Sequence, residues 1–274
     1  MEQIERSSYF HNSDEVATGN TQVFQELNGK SVYEVIRVQE GIALFLEDHL
    51  ERLRKSASFI HLQLTDSDEI LTERIYRLIA SNKVVDQNIK IICNQAVGML
   101  LFFTKTVYPP SEFYETGMHT TLLKLERPDP NLKIQRDEYQ KTVLRERQKK
   151  GAYEVLLVDQ EDYVTEGSRS NLFIVKDGKL FTSPAKNVLL GIVRKKVFEI
   201  CRKKEIQICE ETISVVQLES IDAAFITGTG NNVLPIRSIE DWLVKSAEQP
   251  LVKTIMHEYD RMVSVYIEQN RYRK

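Results

Sequence analysis

The sequence predicts an α+β chain of two domains: a small two-layer N-terminal α/β domain over residues 1–118, a connector over 119–131 and a larger C-terminal domain over 132–274. Three observations carry this expectation. The first half alternates short β-patterned runs with two amphipathic helical runs. A proline-spaced stretch, Arg127-Pro128-Asp129-Pro130-Asn131, then breaks the pattern with residues that resist helix. Beyond it a new series of helices, buried-type strands and a tight hairpin begins. A chain of 274 residues is long for one core and comfortable for two.

Residues 32–46 read as a hairpin. Val32, Glu34, Ile36 and Val38 alternate with Tyr33, Val35 and Arg37, and Gln39-Glu40-Gly41 supplies the turn. Leu50, Leu53, Ala57 and Ile60 space a helix over 48–60. A second helix over 68–82 places Ile70, Leu71, Ile75, Leu78 and Ile79 together, with Asp66, Asp68 and Glu69 at its positive end. Strands follow near 89–93 and 99–106. Tyr108-Pro109-Pro110-Ser111 is a turn signal, and a strand near 120–125 precedes the proline stretch.

The second half opens with a helix over 136–150, stopped by Gly151. Residues 154–158 form a buried-type strand. Residues 172–176 and 179–182 flank Asp177-Gly178, a favoured hairpin turn. A helix over 192–204 follows Gly191, a strand over 223–227 ends in Gly228-Thr229-Gly230, and a helix over 251–269 closes the chain.

Composition narrows the function. With 42% hydrophobic and 28% charged residues and a net charge of −3, nothing favours nucleic acid or an anionic membrane as partner. The basic run 141–150 is interrupted by Glu146 and reads as a solvated helix face. Cys93, Cys201 and Cys209 lack metal-ligand spacing, and their odd number argues against a disulfide framework, so reduced thiols and a cytoplasmic location are expected, with no metal. The N-terminus lacks the apolar core of a secretory signal, and no run approaches the roughly 20 apolar residues of a membrane span.

A phosphate-bearing cofactor needs backbone N–H groups at a helix start, small residues for close approach and usually an arginine. Two junctions offer this. Leu190-Gly191-Ile192-Val193 opens a helix whose first N–H groups lack intrahelical partners, and Gly228-Thr229-Gly230 follows a buried strand with a hydroxyl and bare backbone. Either alone is more often a turn. Between two apolar strands lies Thr165-Glu166-Gly167-Ser168-Arg169-Ser170-Asn171-Leu172-Phe173, a carboxylate followed by small and polar residues.

That string resembles the TEGsxSNlF signature of fold type IV enzymes of pyridoxal 5′-phosphate (PLP), which include branched-chain and D-amino-acid aminotransferases and aminodeoxychorismate lyase. Gly151-Ala152-Tyr153-Glu154, Asp177 to Pro184 and Leu190 to Arg194 are similar to further family motifs, with Val193 where threonine is usual. Val32 to Arg37 and Asp48 to Leu53 resemble the N-terminal "vYEvir" and "HxxRL" segments. The likeness spans about residues 32–236, and it implies a barrel-like sheet in the larger, cofactor-binding domain.

The resemblance also implies roles. Counting back from Gly151 as in D-amino-acid aminotransferase places the Schiff-base lysine at Lys133, with Lys124 and Lys141 as alternatives. Lys133 would need a neutral amine and could then carry the proton between the substrate Cα and the cofactor. Glu166 would face the pyridine nitrogen and keep it protonated, so that the ring accepts electrons. Arg52 would grip the phosphate bidentately. Ile192 and Val193 would donate backbone N–H groups after Gly191, and Thr229 a hydroxyl beside Gly228. Ser170 and Asn171 would position the Glu166 loop or the ring. Tyr33, Arg37 and Arg136 are candidate substrate contacts.

Departures fall in the substrate region. Cys93-Asn94-Gln95-Ala96 stands where D-amino-acid aminotransferase has an Arg-x-His carboxylate trap, so specificity for D-amino acids is not supported. Three outcomes stay open: an aminotransferase acting on an amino acid and a 2-oxo acid, a PLP-dependent lyase of the aminodeoxychorismate type, and a non-catalytic member that has lost PLP. A homodimer is implied by the resemblance.

Overall fold

The computed structural model describes residues 3–134 and 137–273. Two compact units emerge, one of Met1–Val107, Leu132–Gln135 and Val263–Lys274, the other of Tyr108–Asn131 and Arg136–Met262. The division after Val107 therefore assigns the region expected to connect domains to the second unit, while Leu132–Gln135 and the end of the last helix rejoin the first.

In the first unit, β1 (Ile4–His11), β2 (Asp14–Ala17), β3 (Ser31–Gln39), β4 (Ile42–Ala43), β5 (Gln87–Asn94) and β6 (Gly98–Thr104) form one sheet in the order β2-β1-β6-β5-β3-β4. The helices α1 (Leu46–Phe59) and α2 (Asp68–Ser81) connect β4 to β5. Alternation decides which residues turn inward. Val32, Ile36 and Val38 of β3 join Ile89, Ile91 and Cys93 of β5 in a core with Leu50, Leu53 and Ala57 of α1 and Leu71, Ile75 and Leu78 of α2. The opposite face packs Ile92, Leu100 and Phe102 against Tyr9 and Phe24. Helix α2 starts at Ser67, whose hydroxyl accepts from Ile70 N–H. Helix α1 has no side-chain cap, and Phe45 before it is left-handed with φ 50°. Tyr266 Oη does that work: it accepts from Leu46 N–H at 3.1 Å and donates to Glu47 Oε2 at 2.7 Å.

The second unit contains α3 (Glu112–Thr116), β7 (Met118–Lys124), α4 (Asp137–Lys150), β8 (Glu154–Val158), β9 (Tyr163–Gly167), β10 (Asn171–Lys176), β11 (Lys179–Thr182), α5 (Ile192–Lys203), β12 (Ile208–Glu210), β13 (Ile213–Ser214), β14 (Ala223–Gly228), β15 (Asn232–Ile239), β16 (Trp242–Leu243) and, up to Met262, α6 (Pro250–Asn270). Its sheet runs β12-β11-β10-β14-β15-β7-β8-β9-β13, with β16 on β15. β7 is parallel to both β15 and β8. Although β9 and β10 are not neighbours in that order, they come together, because Ser183 just after β11 donates to Val164 O of β9 at 2.9 Å and Asn171 of β10 reaches Glu166 of β9. The sheet thus curls upon itself, giving the barrel-like form expected. Leu156, Leu172, Ile174, Ile226, Leu234 and Ile236 fill its interior.

Strands β1, β2, β9 and β15 carry no expectation from the sequence. β1 bulges between Glu5 and Phe10, with Arg6 at φ 74°, which destroys its alternation. β15 contains Pro235, ordinarily a mark against a paired strand, and its pairing with β7 shifts between Ile236 and Ser238.

Candidate active site

In the first unit, β3 sends Tyr33 and Arg37 to one face and Glu34 to the other, into the apolar core. A fully buried carboxylate demands partners. Helix α1 supplies them one turn apart: Arg52 donates from Nε to Oε1 and from Nη2 to Oε2, both at 2.7 Å, and His49 Nδ1 donates to Oε2 at 2.8 Å. Burial alone would raise the Glu34 pKa, but the Arg52 charge and the hydrogen bonds from Arg52 and His49 outweigh it and hold the carboxyl at about 2. Burial, with Arg52 and Lys133 nearby, keeps His49 below its ordinary value despite Glu34, so it is neutral at pH 7 with its proton on Nδ1.

The same strand fixes Lys133. Tyr33 N–H donates to Lys133 C=O at 3.0 Å, and Val32 bridges Ile134 in antiparallel fashion. Leu132 is buried and Ile134 packs on the first core, so both neighbours anchor the segment. Half-buried Lys133 places Nζ 5.0 Å from the Tyr33 ring centroid, and Lys90 Nζ approaches the same ring at 4.9 Å. The alternatives differ in the second unit. Lys124 and Lys141 have half or more of their side chains exposed, paired with Asp162 and Glu138.

In the second unit, β9 carries Glu166 as a buried strand residue. Its Oε2 accepts from Asn171 Nδ2 and from Leu189 N–H, both at 3.1 Å. Arg127 Nε lies 3.1 Å from Oε1 as an ion pair rather than an aligned hydrogen bond. Arg127 is held in turn by Ser168 O at 2.7 Å, and its guanidinium sits 5.5 Å from the Tyr139 ring. Tyr139 Oη also donates to Ser168 O, at 3.0 Å. Burial pushes the Tyr139 phenol up to about 12, with Arg127 opposing, so it remains a neutral donor.

Two glycines permit this approach. A Cβ on Gly191 would stand 2.2 Å from Asn171 Oδ1, and one on Gly167 would stand 2.0 Å from Ser170 Oγ. Gly191 precedes α5 with no side-chain cap, and no acidic residue occupies the first turn. That leaves the N-terminal N–H groups and the dipole suited to an anion. Ile192 and Val193 are buried, so the valine contributes backbone and packing only. Arg194 secures the helix start by pairing with Glu210 and donating to Ser183 O. Across the β10–β14 ladder Asn171 faces Thr227, whose buried Oγ1 has no hydrogen-bond partner among the described residues. A phosphate oxygen or ring hydroxyl is the kind of partner such a group lacks. Gly228 and half-buried Thr229 follow at the end of β14.

Each unit therefore gathers its own set: Tyr33, Arg52 and Lys133 around β3 in the first, Glu166, Asn171, Gly191 and the α5 start in the second. Arg37 shares a sheet face with Tyr33, and Arg136 lies outside the described residues. Nε and Nη2 of Arg52 engage Glu34, and Ser170 Oγ donates to Glu154 Oε2 at 3.0 Å. Sequence reasoning gave no role to Glu34, His49, Arg127, Tyr139 or Glu154. A charged residue at an inward β3 position was the available signal for Glu34; Arg127 was hidden in a stretch read as a connector.

The matching family model, Amino-transferase class IV, covers residues 31–239. A D-alanine aminotransferase of Bacillus licheniformis is 27% identical over 83% of this chain and 85% of its own length. A probable branched-chain-amino-acid aminotransferase of Thermotoga maritima is 30% identical over 93% of each. A T.th. branched-chain amino acid aminotransferase, solved in complex with N-(5′-phosphopyridoxyl)-L-glutamate, superposes with a TM-score of 0.85 at 22% identity, covering 96% of both chains, which shows a shared fold. The chain belongs to the class IV aminotransferase family.

Proposed function

We propose that this protein is a PLP-dependent aminotransferase that moves an amino group between an amino acid and a 2-oxo acid. The observation that carries the reading is the buried Glu166 carboxylate, held by Arg127, Asn171 and Leu189 N–H within a class IV chain. A structural role alone gives no reason to bury a carboxylate beside an uncapped helix start and an unsatisfied threonine hydroxyl. The phosphopyridoxyl group in the solved T.th. relative supports the choice of cofactor.

When bound, PLP supplies an aldehyde that takes up the amino group and a ring that accepts the electron pair left at the substrate Cα. Lys133 Nζ would hold the aldehyde and later carry the Cα proton; its backbone is fixed on β3 and its amine lies over Tyr33. Glu166 would keep a proton on the ring nitrogen, with the Arg127 guanidinium beside its carboxylate. The N–H groups of Ile192 and Val193, the hydroxyl of Thr229 and the outer end of Arg52 would meet the phosphate. Tyr33 and Arg37 are assigned to the substrate.

Borohydride reduction of the PLP-loaded protein, followed by peptide mapping, tests the reading: the pyridoxyl mass belongs on the peptide containing Lys133. A label on Lys124 or Lys141, or none, refutes it. Conversion of the cofactor to its amine form by an amino acid alone separates aminotransferase from lyase, which would release pyruvate from aminodeoxychorismate.

We further propose a homodimer in the cytoplasm. The cysteines are free thiols, two of them buried, as a reducing compartment maintains. Among the described residues, no helix is long and apolar enough to cross a membrane. Light scattering of the purified protein checks the dimer.

A further inference from the structure

At one end of the second unit's sheet, four segments converge on two arginines. Arg147 is half-buried in the last turn of α4, and Arg169 is exposed at the tip of the β9–β10 loop, three positions beyond Glu166. The backbone ties the segments together. Ala152 N–H donates to Arg147 C=O at 3.0 Å, which leads into Tyr153, and Tyr153 Oη donates to Asn231 Oδ1 at 2.9 Å. A Cβ built on Gly228 would lie 3.4 Å from Arg169 O and 3.7 Å from Asn231 Nδ2, so the Arg169 backbone abuts the turn that carries Thr229.

Among the described residues, neither guanidinium makes a hydrogen bond or an ion pair. Burial, then the Arg169 charge, hold Arg147 below its ordinary pKa, with Glu154 and Tyr153 opposing, so the two cations feel each other. Glu154 is the carboxylate that faces them, and it is committed elsewhere: it accepts from Ser168 Oγ, Ser170 Oγ and Val155 N–H. Two like charges beside one carboxylate leave a net positive site. A position in the last turn of α4 suits the helix dipole and accounts for Arg147 alone, but not for a second cation brought beside it.

We propose that Arg147 and Arg169, beside Tyr153, form a carboxylate-binding subsite that takes a carboxylate of the amino acid or 2-oxo acid substrate. The identity of that ligand rests on the aminotransferase reading. A guanidinium pair offers fork geometry to a carboxylate, and the tip of the loop carrying Glu166 and Asn171 lies in the same segment as the proposed chemistry. The carboxylate is either the substrate's α-carboxylate or a distal one on a dicarboxylic side chain, and these separate by experiment.

The test is calorimetric titration of the PLP-loaded protein and its Arg169→Ala, Arg169→Lys and Arg147→Ala variants with glutarate and with pentanoate. Arg169 is exposed, so its truncation leaves the fold intact; thermal melting checks this. Loss of about tenfold or more in glutarate affinity, equivalent to about 1.4 kcal/mol, with pentanoate unchanged and partial rescue by Arg169→Lys, supports a distal-carboxylate site. Equal losses for both acids support an α-carboxylate site. Unchanged affinity for both in Arg169→Ala and in folded Arg147→Ala overturns the subsite, even where borohydride still labels Lys133. An anion site that survives in a protein whose Lys133 takes no label would sink the aminotransferase reading and keep the subsite.

Discussion

Replacing Glu34 by glutamine removes the charge of a fully buried carboxylate while keeping its shape. Glu34 accepts two hydrogen bonds from Arg52 and one from His49, and its carboxyl lies at about 2 rather than the ordinary 4.5. At about 1.4 kcal/mol per tenfold change in acidity, that difference contributes about 3 kcal/mol to stability at pH 7. A depressed carboxylate contributes fully above its unfolded value of 4.5 and loses the contribution as pH falls toward 2. At pH 3 the same linkage leaves only about 1.4 kcal/mol. Urea denaturation followed by far-ultraviolet circular dichroism should place Glu34→Gln about 3 kcal/mol below the parent at pH 7, with the gap narrowing to roughly half at pH 3. Trp242 fluorescence would be a poor substitute, because the single tryptophan belongs to the second unit. Equal stability at pH 7, or a gap unmoved at pH 3, would refute the account of Glu34 as an ion-paired core carboxylate. Arg52 without Glu34 also loses its fixed orientation, so PLP affinity should fall in the same variant.

Other perturbations have equally direct readouts. Arg127→Met removes the ion pair on Glu166, and one charged contact of about 1.5–3 kcal/mol should lower kcat by roughly 10- to 100-fold with the fold intact, as steady-state kinetics would show. Gly191→Ala sets a methyl 2.2 Å from Asn171 Oδ1, so equilibrium titration should show PLP binding weakened by at least about tenfold. Tyr266→Phe strips the acceptor from Leu46 N–H and the donor from Glu47; thermal melting should report a loss of about 1 kcal/mol.

The helices were legible because their apolar spacing is regular and their ends carry signals: α2 begins at the Ser67 cap and α4 stops before Gly151 at φ 61°. The hairpin β10–β11 was legible from Asp177-Gly178 alone, and both residues adopt positive φ. β15 was not, because a proline inside a strand argues locally against pairing and only the flanking β14 and β7 overrule it. β9 was hidden for a related reason. Thr165, Glu166 and Gly167 have turn-like composition, and only the curling of the sheet reveals Val164 and Glu166 as inward residues. Glu166 stands out in the sequence by its motif. Its arginine partner does not, since pairing across 39 positions leaves no periodic trace.

The first unit takes in Leu132–Gln135 and Val263–Lys274 as well as its N-terminal part. Tyr266, which caps α1, stands 220 positions along the chain from the Leu46 N–H it serves. The first unit is therefore not self-sufficient as a contiguous stretch: a fragment cut ahead of position 263 keeps its strands and helices but leaves Leu46 N–H without its cap, and proteases should open that fragment more readily than the 274-residue chain.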